Sequence, residues 1–306
     1  MLKAEWLRIY RKKSIYILSI IPFIGVCFWI FERYQNASEL SQLSLDSDIA
    51  GAGETIENLL LALRPEWIFS QAMGEVFSTI YLFPFVIIGV IWVYDDLNHG
   101  ILTHVATVHQ NRFRYFMIKI FSLSLFFLMT VFLYFFVLAT TSFFLPDTLK
   151  SEWPQIFSLW NLRAFCIFTF VLLFWSIVGM TITYLSQSAV VGSGILMFYL
   201  LFERVFTTVT AYSFQSELLM KMNEYLPWAN MNSLIMYASQ IKTETSQGFF
   251  SSVDPIMFEM TTYMEGMLIP MPIVKPLYVL MIFSVLYSFV FGSVFWMTFQ
   301  YRIKHS

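Results

Sequence analysis

The chain has 306 residues, of which 58% are hydrophobic and 12% charged, where a soluble domain carries about 25% charged residues. So little charge cannot cover a water-facing surface, which excludes an ordinary soluble enzyme, a disordered chain and a nucleic-acid binder. The formal net charge is −2, so the informative question is where its 18 basic and 20 acidic residues sit.

The elements follow in chain order from the charge-free runs, since a spanning helix needs about 20 mostly apolar residues to cross a hydrocarbon core about 30 Å thick. Residues 1–13 place Leu2, Trp6 and Ile9 on one face and Lys3, Arg8, Arg11 and Lys12 elsewhere. That spacing suits an interfacial helix on the inner leaflet; the plainer alternative is a disordered basic stub. The first span is expected over 14–32. Its aromatic end, Phe28 to Phe31 then Glu32-Arg33, has no small-residue cleavage site, so a retained helix is favoured over a signal peptide. An acidic outer loop follows over 33–74, with a short amphipathic helix over Glu54–Leu63 ended by Arg64-Pro65. The second span is expected over 75–94, a cytoplasmic loop over 95–114 and the third span over 115–142. After an outer loop over 143–163, the charge-free run from Ala164 to Phe202 is too long for one helix. It reads as two, 164–185 and 189–206, broken at Ser186-Gln187-Ser188. The segment 207–275 holds apolar patches too short to span, such as Leu218 to Met220, Tyr225 to Trp228 and Ser233 to Tyr237. They read either as short helices lying on or dipping into the outer leaflet or as a small cap. The last span is expected over 276–301. The expected fold is an all-α integral membrane protein, one domain of six transmembrane helices with both termini on one side.

Cytoplasmic segments carry the excess of Lys and Arg. With the N-terminus inside, the inner pieces hold ten basic residues against Glu5, Asp95 and Asp96, a charge of +7. The outer pieces hold eight basic and seventeen acidic residues, a charge of −9. Both termini are therefore expected in the cytoplasm. The five charge-free runs that supply the six spans hold no Asp, Glu, His, Lys or Arg, and only Glu203 and Arg204 approach, at a helix end. Proton- and ion-driven carriers use such buried groups, so ion coupling is not expected. No catalytic motif is present. No glycine is followed by lysine, which excludes a phosphate-binding loop of the Gly-Lys-Ser/Thr kind. His99, His104 and His109 are five apart and do not converge on one helical face, so they read as solvated residues. Cys27 and Cys166 lie in apolar runs, match no metal spacing, and read as small residues of the membrane core.

The loop over 95–114 is the informative segment. Asp95 and Asp96 stand first, where a helix N-terminus favours negative charge, and Arg112, Arg114 and Lys119 last. Leu97, Ile101, Leu102 and Val105 form an apolar face between them. Such a helix can be gripped by a soluble partner and move the two spans it joins; the alternative is an ordinary basic inner loop. This segment resembles that of ABC-2-type transporter permeases, the membrane subunits of bacterial ABC exporters. Their pattern is an acidic cluster, then Gly-Thr-Leu, then Pro-x-Ser-Arg, then a lysine at the start of the third helix. Here the matching residues are Asp95, Asp96, Gly100, Leu102, Arg112 and Lys119, while Ile101, His109 and Asn111 depart from the pattern. The order of spans and the Leu226-Pro227 pair before the last helix fit the same pattern.

The resemblance implies a permease in the plasma membrane of a bacterium that binds no cofactor itself. ATP and Mg would sit on a cytoplasmic ABC ATPase partner in two copies, with a second permease copy or paralogue completing the unit. Asp95, Asp96, Gly100, Leu102, Arg112 and Lys119 would couple to that partner, with Trp6 and Arg8 as further contacts. Other implied partners are membrane lipid and no nucleic acid. The expected function is export of an amphipathic or cationic peptide, drug or lipid-like compound, by a chain that is not itself an enzyme. The aromatic spans could line a path for such a substrate or simply face lipid. Two other classes stay open: an ATP-independent secondary transporter or channel, and a non-transporting membrane sensor or scaffold.

Overall fold

A chain with long charge-free runs folds in lipid by closing every backbone hydrogen bond within its own helices. In the computed structural model the described residues are 6–7, 11–46, 63–64, 67–78, 82–98, 112–142, 157, 159–209, 225–239, 262–264, 267–269 and 277–305. They form eight helices: α1 (Lys13–Asp46), α2 (Ile68–Ser78), α3 (Leu82–Asn98), α4 (Arg112–Ser142), α5 (Leu159–Ser186), α6 (Ala189–Val209), α7 (Pro227–Ser239) and α8 (Leu277–His305). The described residues are thus helical, as the all-α class expects, apart from one small antiparallel hairpin, β1 (Thr262–Met264) on β2 (Met267–Ile269). Among the described residues, four helices have stretches long and apolar enough to cross a membrane: Lys13–Asn36, Phe113–Thr140, Asn161–Ser186 and Tyr278–Tyr301. The protein is thus a multi-pass membrane protein by the length and apolarity of its helices.

Hydroxyl groups on these helices are turned inward onto their own backbone. Ser19, Ser122, Thr130, Thr181, Thr183 and Ser284 each donate to the carbonyl four residues earlier, at 2.6–2.9 Å. That removes the cost of an unsatisfied polar group in an apolar medium. The core is organised around α5, which packs against α3, α4, α6, α7, α8 and α2. Trp175, Phe168, Val171 and Tyr184 of α5 are fully buried. α5 crosses α3 closely, where a Cβ on Gly89 would stand 2.8 Å from the Ser176 carbonyl oxygen. Small residues let membrane helices approach this closely.

Several expected boundaries move. The span placed at 75–94 is two helices, α2 and α3, with Pro84 in the first turn of α3, where its missing N–H is tolerated. α2 therefore begins inside the stretch read as an outer loop over 33–74, and α1 runs on into that stretch as far as Asp46. α3, α6 and α7 are shorter than the four long helices; α6 extends the expected 189–206 to Val209, α5 begins at Leu159 inside the expected loop 143–163, and α8 runs past 301 to His305. The amphipathic stretch Glu54–Leu63, except Leu63 itself, lies outside the described residues, as do Leu218 to Met220. Cys27 and Cys166 are free thiols on exposed helix faces rather than in the packed core.

α5 and α6 meet at a tight corner. Gln187 takes a φ of 56°, the left-handed value that lets a helix stop in one residue. The Ser188 hydroxyl accepts the Val191 N–H at 3.3 Å and caps α6. Gly192 lets α6 fold back on α5, since a Cβ there would stand 2.5 Å from the Thr183 hydroxyl.

Candidate functional site

At one end of the bundle α3, α4 and α5 converge with the last turns of α8. Asp96 is in the last turn of α3 and is fully buried; Lys119, two turns into α4, is 1% exposed. The Lys119 ammonium forms an ion pair with Asp96 Oδ2. The Tyr115 hydroxyl of α4 donates to the same oxygen at 3.3 Å, and the Tyr184 hydroxyl of α5 at 3.4 Å. Phe299 of α8 stacks on the Tyr115 ring at 6.0 Å and meets Tyr184 edge-on at 6.0 Å. One carboxylate thus ties three helices, inside a wall of rings contributed by a fourth. The expectation that no charge lies buried between the spans is overturned here. Asp96 and Lys119 are 23 residues apart on two different helices, so no local pattern announces their pairing.

The expected helix polarity is also reversed. Asp95 and Asp96 end α3 rather than open a loop helix, and Arg112 opens α4 rather than ending one. Carboxylates at a helix C-terminus are electrostatically unfavourable. Two lysines offset this: Lys119 holds Asp96, and Lys12, just before α1, forms an ion pair with Asp95. The Lys12 pair brings the root of α1 to the end of α3, so the roots of α1 and α4, the ends of α3 and α5 and the last turns of α8 all lie together. Of the other residues assigned to coupling, Gly100, Leu102 and Arg8 lie outside the described residues, as do His99, His104 and His109. Arg112 is in the first turn of α4. Trp6 is half-buried and packs against the core. Lys12, Tyr115 and Tyr184 were missed by sequence reasoning.

At the opposite end a second carboxylate is buried, and it has a different kind of partner. Glu203 of α6 is 1% exposed and accepts the backbone N–H groups of Trp228 and Ala229 at 3.1 and 2.8 Å. These are the first free donors of α7, which opens on Pro227. At the other end of α7, Arg163 of α5 donates to the Tyr237 hydroxyl at 2.9 Å and to the Tyr237 carbonyl at 3.3 Å, and lies over the Tyr237 ring at 4.2 Å. An anion therefore sits at the N-terminus of α7 and a cation at its C-terminus, the arrangement its macrodipole favours. Asn230 ties α7 to α8 through Ser284 at 2.9 Å and the Leu280 carbonyl at 3.3 Å. α7 also closes against α2, where a Cβ on Gly74 would stand 2.4 Å from the Ser239 Cβ. The helix is embedded among α2, α5 and α8, so Trp228 is buried against Trp175 rather than lying at a headgroup surface. The Leu226-Pro227 pair was the readable signal for its start.

The aromatic residues that could line a path divide between two places. Phe127, Phe168, Phe174 and Trp175 are core residues, while Phe132 and Phe136 are more than half exposed on α4. No family model matches the chain, and no curated protein or solved structure matches it. The site therefore stands on its own geometry. That geometry offers no nucleophile and base pair, and among the described residues no group of three metal-ligating side chains. What it can do is lock helices: the charges at the root of the bundle fix α1, α3, α4 and α5 to one another beside the ends of the 99–111 segment.

Proposed function

We propose that the chain is the membrane permease subunit of an ATP-driven ABC transporter, embedded with six spans and both termini in the cytoplasm. In this reading α3 and α6 complete the set begun by the four long helices. The observation that carries it is the joint at which the 99–111 segment meets the bundle, together with the sequence motif that runs across it from Asp95 to Lys119. Its two flanking helices are tied by Asp96 and Lys119, so a push on the segment would move α3 and α4 as one body, and α5 with them through Tyr184. A cytoplasmic ATPase partner in two copies would supply that push, with a second permease copy completing the path. The cargo would be an amphipathic or cationic peptide, a drug or a lipid-like compound. In this reading the segment acts through a coupling helix, which proline at position 100 would interrupt, so Gly100→Pro should abolish transport-coupled ATP hydrolysis while an ATPase subunit still co-purifies in mild detergent. Coupling that survives this change in an assembled complex defeats the assignment.

A second reading draws on the same buried pair. Intramembrane Asp–Lys pairs serve as proton relays in ATP-independent carriers. In that case vesicle transport continues without ATP or a partner, follows a proton gradient, and stops with Asp96→Asn.

A further inference from the structure

α1 and α4 do not pack against each other along their length. They enclose an open groove of about 880 Å³, within the size range of small-ligand sites. Its walls include Ile20 and Phe23 on α1 and Met129 and Leu133 on α4. The few polar groups in its middle are already committed. Ser19 donates to the Ile15 carbonyl, Thr130 to the Phe126 carbonyl, and the Tyr134 hydroxyl bridges the groove floor to the Ser19 carbonyl. The midsection therefore offers apolar contact and no free donor for a peptide backbone or a sugar.

The chemistry changes at the root end. Lys13, Tyr16, Ile20 and Phe23 are spaced i, i+3, i+7 and i+10, so they follow one stripe of α1 and the groove wall ends at a lysine. Lys13 is exposed there, whereas Lys12 beside it pairs with Asp95. Trp6 lines the same mouth, and tryptophan marks the headgroup level of a membrane. We infer that this groove is a binding site for one anionic phospholipid, with an acyl chain between α1 and α4 and the phosphate at Lys13. The charge at the mouth selects the headgroup and the apolar walls hold the tail. The inference is independent of the transporter reading, since lipid retention needs neither ATP nor a partner.

The test uses the full chain reconstituted in vesicles of equal phosphatidylglycerol and phosphatidylcholine, then extracted in nonionic detergent, with retained lipid counted per chain by native mass spectrometry. The wild type should retain one phosphatidylglycerol in preference to phosphatidylcholine. Lys13→Gln should lower that preference about fivefold while still retaining lipid. Leu133→Trp, an exposed position, fills the groove and should abolish retention of both lipids. Phe289→Trp, on the exposed face of α8, should leave retention unchanged and controls for added aromatic bulk. Equal retention of the two lipids by the wild type overturns the inference, as does undiminished retention by Leu133→Trp. So does an empty groove whose Leu133→Cys variant crosslinks to a second copy, which would make this face an interface between chains.

Discussion

The two ends of the bundle each bury a carboxylate, and they satisfy it by opposite means. Asp96 is held by a charged side chain, Lys119, and two phenols. Glu203 is held chiefly by backbone N–H groups at the start of α7, beside the Tyr199 hydroxyl. An ion pair taken out of water is a balance of large terms, and its Coulomb gain can fall short of the desolvation of both partners. A carboxylate on a helix N-terminus needs no second charge, because the donors would be orphaned without it. The first arrangement ties long helices into a unit and is vulnerable to loss of either partner. The second fixes one short helix in place at modest cost.

That contrast fixes an order of effects. Lys119→Met removes the lysine that pairs with the buried Asp96, and should cost about 3–5 kcal/mol. The double variant Asp96→Asn with Lys119→Met should recover most of that loss. Both are read from the helical circular dichroism signal during denaturant titration in mixed micelles, and a double variant no better than Lys119→Met alone would remove the pair from its assigned role. Glu203→Ala should cost about 2 kcal/mol in the same titration, since it leaves the buried Trp228 and Ala229 N–H donors unsatisfied. An effect as large as that of Lys119→Met would erase the distinction between the two ends. Tyr184→Phe removes one long hydrogen bond to Asp96 and should cost about 1 kcal/mol. If its effect vanishes in the background of Asp96→Asn, the phenol acts through the carboxylate, as a double-mutant cycle would show.

Much of the bundle was legible because long charge-free runs have one physical outcome in lipid. The corner after α5 was readable from Ser186-Gln187-Ser188, three polar residues in an apolar run with glycine just beyond. The break before α3 was not read, because no charge interrupts Val76 to Tyr94; Pro84 was the signal, and hydropathy does not weigh it. α7 was readable as a helix from Pro227, but not as a buried one, since its partners Arg163 and Glu203 lie outside its own segment. Charge counting expected Asp95 and Asp96 on an inner loop. It could not see that the helix carries them to Lys12, just before α1, and Lys119 on α4. Sequence periodicity reports which face of an element is apolar, and the site is made of residues that are polar on an apolar face.

The length of α1 has a mechanical meaning. Its 34 residues rise about 51 Å at 1.5 Å per residue, while its apolar stretch ends at Asn36. The remaining ten residues, 37–46, carry the rod about 15 Å past the apolar zone. The root of this helix is tied by Lys12 to Asp95, and Pro22 lies inside it. If the helix moved as one rod, a tilt of about 5° at its root would swing the tip by about 4 Å, a displacement larger than a hydrogen bond.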